Sequence, residues 1–342
     1  MTDTQAEPHS FKFQWLDDHG QPSGLLKKRG TFDGNILKLD KIDVPANVIA
    51  HVEVRDRRMW IVAINNQGQQ VPLGIQPHPK RETRKLKLLI DVARSAAWAK
   101  QEQEELSKKG EGHLYRDEQC PYCTATVVLS RMPESPQIFC PFCQAIGTLD
   151  PTERPTGEQE IQTCPRCEMY SRPRQYEVGY ILFLLVAVVH KSQQEWSCPI
   201  CIRKDVWKML FTNLPTVIGS PAAFYQMWRA YVSSPIRGTF AGLDAGNLYA
   251  RKGNWTAALE NYRKILERAP HAAGIHYNIG LALAEQNQTD RAIDAFELAL
   301  KECSNYGPAY RHLRGLYEQT GDQSRLRELK EMWEPEPETA EA

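Results

Sequence analysis

Eight of the nine cysteines occur as four pairs with the same local sequence, Cys-Pro-X-Cys. The pairs are Cys120 and Cys123, Cys140 and Cys143, Cys164 and Cys167, and Cys198 and Cys201. A Cys-x2-Cys pair bends the backbone so that both sulfurs point at one ion, and the proline restricts that turn. Eight thiolates suffice for two tetrahedral four-sulfur sites, which predicts two structural zinc ions per chain.

The spacing between pairs indicates which pairs share an ion. Sixteen residues separate Cys123 from Cys140, an interval usual for a zinc ribbon, whereas thirty residues, many of them apolar, separate Cys167 from Cys198. We therefore predict that the first pair shares an ion with the second and the third with the fourth, in two ribbon-like modules. An interleaved pairing remains open, because spacing alone does not exclude it.

Two other uses of paired cysteines compete with zinc. The first pair, Cys120-Pro121-Tyr122-Cys123, is similar to the dithiol motif of glutaredoxins, which lies between a strand and a helix. Residues 111–119 are polar and do not fit a buried strand, and four copies of the motif favour metal. A disulfide framework needs an oxidising compartment, but the polar first ten residues predict no export signal. We expect reduced thiols, a cytoplasmic location, and a packed thiol within a helix at Cys303.

The composition excludes several classes of function but does not assign one. The 342 residues suffice for two or three domains, and 42 basic residues balance 42 acidic ones. This balance gives no general attraction to nucleic acid or anionic lipid. The sequence contains no phosphate-binding glycine loop, nucleophile elbow or His-Glu-x-x-His motif. These observations predict a protein that is not an enzyme.

The N-terminal region has the signals of a small β domain. After residues 1–10, which we expect to be disordered, apolar residues alternate with polar ones from Phe11 to about Ile75, predicting about five or six short strands. One long helix is predicted from Glu82 to Lys109. The turn at residues 30–34 and the segment 44–49 resemble bacterial pleckstrin-homology-like domains, which implies a sheet or barrel followed by a helix over residues 11–109.

The central region is predicted to contain both zinc modules. The first ribbon is expected at 114–149 with a hairpin between Val127 and Phe139, followed by a linker at 150–160. The second module, 161–235, contains two apolar segments, 178–189 and 209–228. The first segment is shorter than the roughly 20 residues that span a bilayer, and prolines make the second a poor span. Three interpretations remain: mutual core packing, an interfacial membrane hairpin, or a docking surface for a partner.

From residue 239 onward the chain repeats itself with a period of 34 residues. Residue types recur at matching positions: Gly246 and Gly280, Ala258 and Ala292, Tyr262 and Phe296, Gly253 and Gly321. The pattern resembles the tetratricopeptide repeats over residues 239–333, which implies stacked pairs of helices. The third repeat has Arg314 in place of glycine and Leu326 in place of alanine, so we expect a looser cap. Such a short array is expected to pack on the helix near residues 222–232 or on a zinc module.

The resemblance also implies a binding face. Members of that family bind peptides on the concave face of their first helices, and some hold a carboxyl terminus with Lys, Asn and Arg. Asn247 and Asn278 match the asparagine positions and are our candidate partner-binding residues. Leu243, Pro308 and His312 stand where basic residues are usual, so a carboxylate clamp is not expected. The alternative, which we favour, is that both asparagines are solvated on the helix surface.

The sequence thus predicts a multidomain α+β protein: a β domain with a helix, two zinc modules, helical repeats, and a disordered acidic tail at 334–342. The expected function is that of a non-enzymatic zinc-binding adaptor, with a protein or peptide partner on the concave repeat face. The first alternative is a peripheral membrane protein anchored by segments 178–189 and 209–228. The second is a zinc-ribbon nucleic-acid binder that uses Arg166, Arg172 and Arg174.

Overall fold

The computed structural model describes residues 8–184, 187–213, 220–232 and 235–333. The chain forms two compact units, Met1–Ser130 and Arg131–Ala342. The division falls inside the segment 114–149 that was predicted as one ribbon. The predicted disorder of residues 1–10 is wrong for residues 9 and 10, because a strand begins at His9. Residues 1–7 and the tail 334–342, also predicted to be disordered, lie outside the described residues.

The first unit contains a seven-stranded antiparallel sheet with strand order β4-β3-β2-β1-β7-β6-β5. Its strands are β1 (His9–Leu16), β2 (Pro22–Phe32), β3 (Ile36–Leu39), β4 (Ile42–Pro45), β5 (Ile49–Arg55), β6 (Arg58–Ile64) and β7 (Gln70–His78). The alternation in the sequence produces one buried face: Phe11 and Phe13 are buried in β1 while Lys12 between them is exposed. The sheet has one or two strands more than the sequence predicted.

Helix α1 (Glu82–Lys108) follows the sheet and covers its core. Leu86 and Ile90 lie one turn apart, are fully buried, and join the apolar cluster formed by the strands. The helix begins at the predicted residue and ends one residue earlier than predicted. The likeness to pleckstrin-homology-like domains stays a prediction.

Short two-stranded sheets surround the first two cysteine pairs. Strands β8 (Asp117–Gln119) and β9 (Thr126–Val128) pair in the first unit, and β10 (Gln137–Phe139) and β11 (Ile146–Thr148) pair in the second. The predicted hairpin between Val127 and Phe139 is therefore wrong. Each cysteine turn reverses the chain by itself, so the strands on its two sides pair with each other.

The predicted linker at 150–160 contains a buried anchor. The Glu158 carboxylate is fully buried. It accepts hydrogen bonds from the backbone N–H of Thr148 at 2.9 Å, the Thr148 hydroxyl at 2.7 Å and the Gln137 amide at 3.1 Å. These bonds fix this segment on β10 and β11.

The second module consists of a short sheet, a long hairpin and two helices. The elements are β12 (Gln162–Thr163), β13 (Tyr170–Ser171), β14 (Arg174–Leu184), β15 (Ala187–Ser197), α2 (Pro199–Asn213) and α3 (Ser220–Tyr231). The inner faces of α2 and α3 pack on Tyr176 and Val178 of β14. The side chains of 180–192 and the whole of 214–219, on which much of the apolar-segment prediction falls, lie outside the described residues. Within the described ranges, the structure has no helix long and apolar enough to cross a membrane.

Six helices complete the second unit as three antiparallel pairs: α4 (Leu243–Arg251), α5 (Trp255–Leu266), α6 (Ala273–Ala284), α7 (Thr289–Glu302), α8 (Gly307–Thr320) and α9 (Gln323–Trp333). Glycine is required where the helices of a pair cross. A Cβ atom at Gly280 would lie 2.7 Å from the Phe296 ring, and one at Gly246 would lie 2.7 Å from the Tyr262 ring. The recurring glycines and aromatics of the sequence thus pack on each other within one repeat.

Candidate metal centre and repeat face

Four cysteines of the second unit lie together and form what we call the second group. The sulfur atoms of Cys164, Cys167, Cys198 and Cys201 all lie within 4.8 Å of one another. This group joins the third pair to the fourth, as the spacing predicted. The first two pairs belong to different units, Cys120 and Cys123 to the first and Cys140 and Cys143 to the second, and their sharing of one ion stays a prediction.

The first three pairs share one backbone turn. The residue after the second cysteine has a left-handed conformation, with φ of 60° at Thr124, 61° at Gln144 and 58° at Glu168. That residue donates its N–H to the carbonyl of the first cysteine, at 2.8–2.9 Å in all three turns. The turn points both sulfurs to one side, as a knuckle that binds metal requires.

The fourth pair is built differently. Cys198 and Cys201 lie at the start of α2, and the N–H of Ile202 donates to the Cys198 carbonyl at 3.3 Å. The backbone N–H groups of Cys198 and Cys201 point at the sulfurs of Cys164 and Cys198, each at 3.4 Å. A helix N-terminus presents such donors and carries partial positive charge, so it stabilises thiolates.

The spacing of the second group fits a tetrahedral ion. A zinc–sulfur distance of about 2.3 Å in a regular tetrahedron places sulfurs about 3.8 Å apart. The sulfurs of Cys167 and Cys198 are 3.9 Å apart. Hydrogen bonds among the four sulfurs lower the pKa of Cys164 and raise the pKa values of Cys167 and Cys198, so Cys164 is the thiol that deprotonates most readily. Zinc held here would cross-link the third knuckle to α2.

Two arginines adjoin this group. The Arg251 guanidinium, on the first repeat helix α4, donates to the Cys201 sulfur at 2.7 Å. Burial alone would lower the pKa of Arg251, but the thiolates of Cys201 and Cys167 outweigh it and raise that pKa. Arg166 donates to the Cys201 carbonyl at 3.3 Å and forms an ion pair with Asp205. Sequence reasoning missed Arg251, because no motif connects a repeat helix to a distant knuckle.

The three arginines proposed for nucleic-acid binding have partners within the protein. Arg166 is also ion-paired with Glu195 at 3.3 Å, and Arg172 is largely buried with its guanidinium 2.7 Å from Glu160. Arg174 is partly buried, and burial lowers its pKa. No cluster of solvated arginines results, so this geometry does not favour a phosphate-binding surface.

Asn247 and Asn278 are buried, so the expectation of solvated side chains is wrong. The Asn278 side chain accepts from the backbone N–H of Tyr170 at 2.9 Å and donates to its carbonyl at 2.8 Å. Asn247 donates to the same carbonyl at 3.0 Å, and its own oxygen accepts from Asn278 and from the Tyr262 hydroxyl. The two asparagines bind the backbone of Tyr170 as a neighbouring strand would.

A third asparagine repeats this arrangement. The Asn305 side chain, just before α8, accepts from the N–H of Phe139 at 2.8 Å and donates to its carbonyl at 2.8 Å. The repeat period could not find it, since a step of 34 residues from Asn278 leads to His312 and not to Asn305.

The ring of Tyr170 completes the contact between the third knuckle and the repeats. It covers the N-terminal part of α6, where a Cβ atom at Gly274 would lie only 2.3 Å from it. It also meets Phe240 edge to face, with centroids 6.1 Å apart. Strand β13 therefore lies on the first helices of the repeats, and the array packs on a cysteine-rich module as expected.

Comparison with known proteins supports the repeats. A family model of the tetratricopeptide repeat matches residues 243–308. This part of the chain is a tetratricopeptide-repeat region, as its period predicted. No curated protein matches the chain.

Several solved structures are similar to part of the chain. MamA AMB-1 shares 20% identity, with 37% of this chain and 69% of that chain covered and a TM-score of 0.25. MamA from Desulfovibrio magneticus RS-1 shares 17% identity over 37% of this chain and 71% of that one, with a TM-score of 0.25. The human IFIT1 dimer with PPP-AAAA shares 20% identity, with 37% of this chain and 33% of that chain covered and a TM-score of 0.26.

Proposed function

We propose that this protein is a non-enzymatic, cytoplasmic adaptor whose paired cysteines bind two structural zinc ions. The observation that carries the proposal is the set of hydrogen bonds that joins Asn247 and Asn278 to the Tyr170 backbone, three residues after Cys167. Through these bonds the repeats hold the knuckle of the second cysteine group. Four sulfur ligands complete a tetrahedral zinc ion and leave no position for substrate, so the metal's contribution is cross-linking.

Asn247 and Asn278 are already hydrogen-bonded within the protein, and this restricts where a partner can bind. Tetratricopeptide arrays present extended concave surfaces to protein partners. Here the polar atoms of Asn247 and Asn278 are already bonded to Tyr170. A peptide that used these two asparagines would first have to displace β13. We infer that a protein partner contacts repeat surface beyond them.

Zinc-dependent binding of a partner tests the proposal. The full chain is immobilised in three states: zinc-loaded, stripped with a chelator, and stripped and then resupplied with zinc. Each state is incubated with a cell lysate, and the proteins that it retains are quantified by mass spectrometry. We expect one set of proteins to be retained by the first state, lost from the second and recovered by the third, because the repeats rest on the metal-stabilised module. Retention that is indifferent to chelation, or no specific retention in any state, contradicts the adaptor.

A further inference from the structure

Helices α2 and α3 expose an aromatic strip on the side away from their core. Its five members are 41–65% exposed. They are Trp207, Phe211, Tyr225, Trp228 and Tyr231. Large aromatic side chains normally bury most of their surface, so this many in one place marks a surface that receives an apolar partner.

The strip is continuous across the two helices. The rings of Trp207 and Phe211 stack with centroids 5.5 Å apart on α2, and those of Tyr225 and Trp228 stack at 6.3 Å on α3. The Trp207 indole N–H donates to the Tyr231 hydroxyl at 3.0 Å, which joins the two helices. Tyr231 also lies one helical turn from Trp228, so the five rings form one surface.

The opposite faces of the same helices are already buried. Val206 and Met209 of α2 and Ala230 of α3 belong to the apolar cluster formed with Tyr176 and Val178 of β14. The two helices are thus apolar on both sides, whereas a helix at a water-facing surface has a polar outer face. The exposed aromatic strip is therefore an additional apolar face, distinct from the face that each helix packs on the core.

Along α2 and α3 the basic residues outnumber the acidic ones. From Val206 to Leu243 the sequence contains no aspartate or glutamate, while it contains Lys208, Arg229 and Arg237. Lys204 lies one turn before Lys208 on α2 and is exposed. The preceding acidic residue, Asp205, is ion-paired with Arg166. Arg229 lies over the Tyr225 ring at 5.9 Å, at the edge of the strip.

We propose that the aromatic strip binds the interface of an anionic lipid bilayer, with α2 and α3 lying in the plane of the membrane. Tryptophan and tyrosine place their rings among acyl chains and their polar atoms among headgroups, and lysine and arginine reach the phosphates. A second copy of this chain on the strip would bring like charges together across a two-fold axis, which disfavours it. The proposal does not depend on the adaptor function.

Flotation of the full chain with lipid vesicles tests this inference. Vesicles consist of phosphatidylcholine alone or of equal parts of phosphatidylcholine and phosphatidylglycerol. The wild-type chain is expected to float with the anionic vesicles and less with the neutral ones. Phe211→Ser combined with Trp228→Ser should lower the partition coefficient about tenfold or more, from the apolar area removed. Lys204→Gln and Lys208→Gln should each lower it about fivefold on anionic vesicles only.

A matched control separates the strip from general hydrophobicity. Leu298 on α7 is 42% exposed, and Leu298→Ser should float like the wild type. Circular dichroism and gel filtration of each variant establish that it is folded and report its oligomeric state. Wild-type protein that stays unbound, or strip variants that float as well as Leu298→Ser, overturns the proposal. A wild-type dimer that binds no vesicles and becomes monomeric in the Phe211 and Trp228 variant also overturns it, and assigns the strip to self-association.

Discussion

Asn278→Ala is the substitution that most directly tests the attachment of the repeats to the cysteine-rich module. The Asn278 side chain is fully buried and makes three hydrogen bonds of 2.8–3.0 Å, two to the Tyr170 backbone and one to Asn247. Losing a buried partner costs about 1–3 kcal/mol, and the Tyr170 carbonyl keeps its bond from Asn247. The largest single cost arises because the substitution removes the acceptor of the Tyr170 backbone N–H. We expect this contact to weaken by about 3 kcal/mol, roughly a hundredfold in the opening equilibrium.

Amide hydrogen exchange measures that opening at the residue concerned. Exchange of segment 161–171, which contains the Tyr170 amide, should accelerate by about a hundredfold in Asn278→Ala if this segment opens by local unfolding. Asn261→Ala is the matched control, because the Asn261 side chain donates only to the Ala257 carbonyl of its own helix, at 2.7 Å. It should leave the segment unchanged. Equal protection of 161–171 in wild type and Asn278→Ala would refute the attachment.

Two further predictions concern packing and pH. Gly274→Ala forces a methyl group against the Tyr170 ring and should lower the free energy of unfolding of the second unit by about 1–3 kcal/mol. Gly315→Ala, on an exposed helical site with nothing within 4 Å of the added methyl, should raise it by about 0.5–1 kcal/mol. Denaturant titration compares them, and equal effects would contradict the contact. Burial lowers the pKa of His312 below 6.5, despite the opposing charge of a nearby glutamate, so the unfolded chain takes up the proton first as the pH falls. The stability that the neutral imidazole contributes is present above pH 6.5 and is lost below it. Denaturation curves at several pH values give the free energy of unfolding as a function of pH, and His312→Phe should make that function flatter below pH 6.5. An unchanged slope in this variant would contradict the role assigned to His312.

The sequence predicted features that depend on local spacing. Three of the four Cys-Pro-X-Cys pairs form the same local turn, and a 34-residue period determines which helices pair, so these turns and the repeat helices follow from nearby residues. The long helix after the β strands has an uninterrupted pattern from Glu82 and was predicted from its first residue. These are short-range constraints that one sequence displays.

The sequence could not predict contacts between distant residues. Tyr170 and Asn278 are separated by 108 positions, and an asparagine bonded to a backbone looks the same in the sequence as a solvated one. The same holds for Arg251, which reaches a sulfur 50 positions away. The hairpin predicted between Val127 and Phe139 failed for another reason: the knuckle turn reverses the chain before the apolar strands can pair with each other.

The zinc content of the purified full chain, measured by elemental mass spectrometry beside Cys164→Ser, tests the central claim most directly. We predict two zinc ions per wild-type chain and one in the variant, whose second unit should lose its cooperative unfolding transition because structural zinc contributes folding free energy. A wild-type chain that is folded and contains no metal would contradict the account, as would a Cys164→Ser chain with unchanged zinc content and an unchanged melting curve.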